Sequence, residues 1–184
     1  MQKLDLLEVE AFLYLMITFK KESKVFVYRV AGVAIFDNKL LVHRSIKDDF
    51  WSLPGGRCEM LEISRNTLIR EMQEEIGVDI IVKRPLYFVE NFFHFEEKDF
   101  HELSIFYLME FPTNSRWIFE NDTFPGIEQG VKIENDVYDG AGLDLTFKWV
   151  NINEIENLRL YPLFLRKSLK NIKPFPEHII NYDD

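Results

Sequence analysis

Residues 55–78 read GGRCEMLEISRNTLIREMQEEIGV, and the spacing of the acids in this stretch decides how the chain is understood. Five glutamates fall within it, and it closes on Arg70-Glu71-Met72-Gln73-Glu74-Glu75. Side chains three and four positions apart on a helix share a face, so Glu71 neighbours both Glu74 and Glu75. Like charges so placed repel by a few tenths of a kcal/mol per pair. A multivalent cation reverses that sign, and hard cations such as Mg²⁺ take carboxylates together with substrate phosphates. The simplest functional reading is a helix that holds Mg²⁺ or Mn²⁺ for phosphate chemistry. A solvated acidic helix face is the alternative. Ser64 is placed to cap the helix, Ile69, Met72 and Ile76 give it an apolar stripe, and Gly77 sits where a terminating glycine belongs.

Outward from this helix the pattern is that of a mixed α/β protein. Upstream, Val25 to Phe36 is rich in β-branched and aromatic residues, Asp37-Asn38 is a turn signal, and Lys39 to Arg44 completes a hairpin. Trp51 to Pro54 is short and extended, because the residue before proline avoids the helical region. Downstream, Ile80 to Phe95 holds one or two strands and His101 to Phe111 another, with a hairpin tip at Glu96–Asp99. Their apolar character predicts burial on both faces. Residues 113–146 read as a long polar connection punctuated by Gly126, Gly130, Gly140 and Gly142. Phe147 to Asn151 is a last strand, Tyr161 to Ile172 a helix, and the tail after Pro174 a loosely ordered end. Residues 1–19 either form an amphipathic helix from Leu4, Leu7, Phe12 and Leu15 or are an upstream extension before Met16.

Composition bounds the function. The chain has 184 residues, 47% apolar and 29% charged, which suits one folded domain with a core at about residues 24–172. A net charge of −9 argues against binding nucleic acid polymers, which needs a basic footprint. It leaves room for a small anionic substrate, because a bound cation inverts the local field. Cys58 is the only cysteine, so no intrachain disulfide forms and a reducing compartment is expected. The apolar run from Ala11 to Phe19 is far shorter than the ~20 residues of a spanning helix. These features predict a cytoplasmic protein with no membrane partner.

The box resembles a known family. Gly56, five residues, Glu62, seven residues, then Arg70, Glu71, apolar Met72, any residue, Glu74, Glu75, any residue, Gly77 and apolar Val78 reproduce the Nudix (MutT-like) box without a mismatch. With each residue type at roughly 6%, chance gives such a match about once in ~10⁹ windows. The approach Trp51-Ser52-Leu53-Pro54-Gly55-Gly56 is similar to that of many family members. The resemblance implies the Nudix fold, an α/β/α sandwich with a mixed sheet. It implies a metal-dependent pyrophosphohydrolase that cleaves a nucleoside diphosphate linked to another moiety. It further implies Glu71, Glu74 and Glu75 as ligands of Mg²⁺ or Mn²⁺, the Gly55 carbonyl as a further ligand, and Gly56 and Glu62 as loop supports. Arg70 either holds a box carboxylate, the preferred role, or touches phosphate. A non-catalytic nucleotide-binding regulator on the same fold is the rival, and a homodimer stays open.

Other residues are candidates on their own chemistry. Glu90 alternates with Leu86, Phe88 and Phe92, where a carboxylate is costly unless paired or metal-bound. Glu102, Glu128, Glu134, Asp136 and Asp139 are candidates for a general base outside the box. Arg29 and Arg44 could meet phosphate. Trp51, Phe92 and Phe93 could stack a base or fill the core. His43, His94, His101 and His178 show no metal spacing and read as strand or surface residues.

Overall fold

The computed structural model describes residues 16–128, 131–133, 137–139 and 142–183. Ten strands are assigned among them: β1 (Thr18–Lys21), β2 (Lys24–Phe36), β3 (Lys39–Ser45), β4 (Ile81–Phe95), β5 (Lys98–Glu110), β6 (Thr123–Glu128), β7 (Val131–Ile133), β8 (Val137–Asp139), β9 (Leu143–Asn151) and β10 (Glu177–Asp183). The helices are α1 (Ser64–Ile76) and α2 (Leu165–Ser168), with 3₁₀ turns at Arg116–Phe119 and Ile152–Asn157. The main sheet runs β10-β4-β5-β2-β3-β9-β6, with β1 added to β2. It is mixed: β10 with β4 and β2 with β5 are parallel, and the remaining pairs are antiparallel.

The β2–β3 and β4–β5 hairpins have a local cause. Asp37 and Asn38 take φ of 47° and 58°, and Glu96 and Glu97 take 47° and 61°. Two consecutive positive φ values make a type I′ turn, whose twist matches that of the strands it joins. The sheet has apolar clusters on both faces. One, under α1, gathers Val30, Leu41, Leu68, Met72, Met109 and Phe147. The other packs Val33, Leu40, Leu53 and Val89 against Ile155, Leu160, Leu165 and Leu169. Each fully buried aliphatic chain contributes ~1.5–3 kcal/mol. The result is the expected α/β/α sandwich around a mixed sheet.

The site is opened by a divergence of two strands. β2 and β3 pair only at Ile35–Leu40 and Phe36–Lys39, next to their turn. Beyond that point the segment 51–58 inserts between them. Ser52 and His43 exchange backbone bonds of 2.9 Å in both directions. On the other side Val30 N–H donates to Gly56 O at 2.9 Å, Gly32 N–H to Pro54 O at 2.8 Å and Cys58 N–H to Tyr28 O at 3.0 Å. The inserted loop therefore carries Gly55 and Gly56 to the point where α1 crosses.

Several elements depart from the sequence-based expectations. The described part of residues 113–146 is not a single polar connection: β6 pairs with β9 along the sheet edge, and β9 starts at Leu143. Gly126 does not mark a loop. A Cβ there would stand 2.5 Å from the Phe147 ring and 2.9 Å from the Glu75 carbonyl, so it lets β6 press against the end of α1. The tail after Pro174 is ordered into β10, because its backbone completes a ladder with β4. Tyr161–Ile172 is mostly turns. The bonds Leu165–Pro162, Arg166–Leu163 and Lys167–Phe164 are i→i+3, and one α turn follows. Ser64 is the first residue of α1 rather than its cap, and its hydroxyl is shared with Tyr107 OH at 2.8 Å. β4 and β5 are not buried on both faces throughout: Phe88 and Leu103 are exposed on the face away from the cavity, where α1 does not reach. Of the helix expected over 1–19, residues 1–15 lie outside the described residues, and 18–19 begin β1.

Candidate active site

Helix α1 presents its acids inwards. Thr67, Leu68, Glu71, Met72 and Glu75 are its buried residues, so two box carboxylates share the face that packs on the sheet. A solvated acidic stripe is therefore excluded as the explanation of the spacing. Gly77 ends the helix in the left-handed conformation, with φ 67°. Its N–H returns to Gln73 O, and Val78 N–H reaches Met72 O.

Arg70 organises the carboxylates. Its Nε and Nη2 donate to Glu62 at 2.9 and 3.1 Å, and its Nη1 to Glu71 and Glu74, both at 2.9 Å. Nη2 also donates to Arg57 O at 3.1 Å. The rigid planar fork suits this task, and it points at carboxylates and loop backbone. Burial works against the charge on Arg70, but its carboxylate partners hold it firmly protonated. Burial likewise pushes Glu62 up, yet the bonds from Arg70, Thr67 Oγ1 and the Glu59 N–H prevail and hold it below the usual range.

Glu71 is in the opposite condition. Burial pushes its carboxyl up to about 8 against the pull of Arg70, and Glu75 and Glu74 add repulsion. Gly56 makes this crowding feasible: a Cβ there would lie 2.1–2.4 Å from the Glu71 carboxylate atoms. Gly55 has φ 139°, and its carbonyl accepts from Arg29 Nη2 at 2.8 Å. Glu75 is buried, and its Oε2 has no hydrogen-bond partner. Among the described residues no three His, Cys, Asp or Glu side chains already stand around one point as ligands. Arg70 accounts for this, since it draws Glu71 and Glu74 to itself. The donor set still fits a divalent cation. The box offers hard carboxylate oxygens, one buried carboxylate oxygen is orphaned, and the loop leaves room only for glycine beside Glu71.

A cavity of about 640 Å³ opens over this cluster. Arg29, Arg44, Gly55, Gly56, Glu71 and Glu74 line one side. Glu102 and Glu128 also line it, as do Phe93, Phe95 and Tyr161. The Ser104 hydroxyl donates to Glu102 Oε1 at 2.6 Å and fixes that carboxylate. Of the other acids considered, the side chain of Asp139 and all of Glu134 and Asp136 lie outside the described structure.

Two candidates are corrected. Glu90 does not line the cavity. It sits on the other face of β4, with its carboxylate 2.8 Å from His178 Nε2 on β10. That partner removes the cost that made Glu90 conspicuous in sequence. Trp51 belongs to the core, with Arg44 stacked over its ring at 4.6 Å, so it is not placed to stack a base in this cavity. Phe92 likewise turns away and stacks on His101 and Tyr182. Several lining residues were given no site role from sequence, among them His43, which read as a strand or surface residue, Asn91 and Asp183. Alternation along β3 from buried Leu41 would have turned His43 towards α1. Asp183 had no comparable signal, because β10 is short and polar.

Residues 27–171 match the NUDIX domain, and the chain belongs to the Nudix hydrolase family. It is 26% identical over 126 residues to the uncharacterized Nudix hydrolase YvcI of Bacillus subtilis (strain 168), covering 68% of this chain and 66% of that protein. Over 47 residues it is 40% identical to the 8-oxo-dGTP diphosphatase of Proteus vulgaris, covering 24% of this chain and 42% of the other. The chain spans less than two-thirds of the length of the curated relatives it matches. The crystal structure of the MutT protein from Methanosarcina mazei Go1 superposes with a TM-score of 0.52 at 16% identity, over 82% of this chain and 94% of that one, a likeness of fold. Among the described residues no helix is long and apolar enough to cross a membrane.

Proposed function

We propose that the protein is a divalent-cation-dependent pyrophosphohydrolase acting on a nucleoside diphosphate linked to another moiety. The observation that carries this is the carboxylate cluster of α1, buried under Gly55-Gly56 at the wall of a cavity that also holds Arg29 and Arg44. The cavity volume is in the range typical of small-molecule sites. Nudix hydrolases as a class use divalent metals, and Glu71, Glu74 and Glu75 are the residues that would hold Mg²⁺ or Mn²⁺. Such an ion neutralises phosphate oxygens and polarises the phosphorus when bound.

The chain's own groups account for the rest. Arg29 and Arg44 offset phosphate charge on the substrate. Arg70 is a positioning residue that keeps Glu62, Glu71 and Glu74 in register. Glu102 or Glu128 takes the proton of the attacking water on a carboxylate oxygen. The rival function, a nucleotide-binding regulator without turnover, gains no support, because every box carboxylate is present. Relatives bear names such as 8-oxo-dGTP diphosphatase, so the test is a screen of oxidised nucleoside triphosphates, ADP-ribose, nucleotide sugars and dinucleoside polyphosphates. Release of a nucleoside monophosphate with Mg²⁺ or Mn²⁺ supports the assignment. Binding without release from any compound supports the regulator.

A further inference from the structure

Glu75 is the box carboxylate that Arg70 does not reach. The guanidinium bonds go to Glu62, Glu71, Glu74 and the Arg57 carbonyl. What faces Glu75 is His43 on β3: His43 Nδ1 and Glu75 Oε2 are 3.6 Å apart, with side chains 7% and 2% exposed. That separation is too long for a hydrogen bond, and both atoms lack a partner. Two facing buried polar atoms without partners are costly unless something joins them. The imidazole is also firmly placed. Its backbone is tied to Ser52 in both directions, its ring lies 5.3 Å from Phe147, and it lines the cavity.

We infer that His43 Nδ1 is a direct nitrogen ligand, beside Glu75, of the divalent cation held by the box. This rests on the box being a cation site. Two ligands of one first-row cation, each at ~2.0–2.2 Å, stand roughly 3.0–3.5 Å apart, close to the separation observed. The consequence is metal selection. Oxygen-only sites suit Mg²⁺, whereas imidazole suits later divalent metals. His43 therefore biases the site towards Ni²⁺ or Zn²⁺ over Mg²⁺.

The test uses the whole chain labelled with ¹⁵N-histidine and titrated with Zn²⁺, together with calorimetric affinities for Ni²⁺ and Mg²⁺. His43→Gln identifies the His43 signals. His43→Asn, which places an amide near the Nδ1 position, shows by its urea midpoint whether the fold tolerates loss of the ring. The expected result is a metal-bound shift at Nδ1 of His43. In either folded variant, Ni²⁺ affinity should fall at least tenfold and Mg²⁺ affinity less than threefold. Saturable metal binding with an unmoved His43 Nδ1, or equal losses for both metals, overturns the inference and leaves the box as a cation site with a water between the two side chains. Failure of the wild type to bind any of the three ions overturns both.

Discussion

At the scale of single residues, the box is a problem of charge compensation. Burial, with repulsion from Glu75 and Glu74, raises the Glu71 carboxyl from an ordinary value near 4.5 to about 8. Between these values the folded chain binds a proton that the unfolded chain has released. Stability therefore falls as pH rises through this window, the reverse of the behaviour of a salt-bridged acid. In chelator, the urea midpoint should drop between pH 6 and pH 9 by on the order of a few kcal/mol in stability, and Glu71→Gln should flatten the drop. An unchanged slope in that variant would contradict the burial argument. The base is a second question at this scale. Of Glu102 and Glu128, both on the cavity wall, one replacement by glutamine should lower kcat by roughly 10²-fold or more with little change in KM. Normal kcat in both variants would return the base to the box.

At the scale of elements, β6 and α1 meet through Gly126. A methyl group there collides with Phe147 and with the backbone of Glu75. Gly126→Ala should therefore destabilise the fold by ~1–3 kcal/mol. Because the collision moves the end of α1 that carries Glu75, it should also weaken cation binding. A variant with wild-type melting temperature would show that β6 yields freely. The same contact explains why the 113–146 segment was misread. Its glycines look like loop punctuation, yet one of them is there for close approach. The first strands, their type I′ turns and helix α1 were legible because propensity, period and turn residues agree locally. β10 was not, because a short polar strand is stabilised by its partner β4 and carries little signal of its own.

For the whole molecule, the coupling of cation to fold is the measurable property. A cation that binds only the native state raises the melting temperature by mass action. Millimolar Mn²⁺ or Mg²⁺ should raise it by several degrees. Glu74→Gln should gain less from the cation than wild type and turn over substrate more slowly by orders of magnitude. A melting temperature indifferent to both ions would count against a preformed cation site. The net charge of −9 gives this coupling weight under the proposed function, since an anionic nucleotide would approach an acidic protein more readily once a cation offsets the box.

The sequence by itself determined the family, the sandwich, the acid helix and the glycines beside it. Those features depend on spacing within 24 residues and on local turn chemistry. Only the tertiary structure decided which distant side chains share the cavity. It brought in Glu102, Glu128, His43 and Asp183 and left out Glu90 and Trp51. It also showed that Arg70 holds three carboxylates while Glu75 faces His43 instead. The physical reason is that strand alternation fixes the side of the sheet a residue faces, whereas strand order and the divergence of β2 from β3 determine what it meets there.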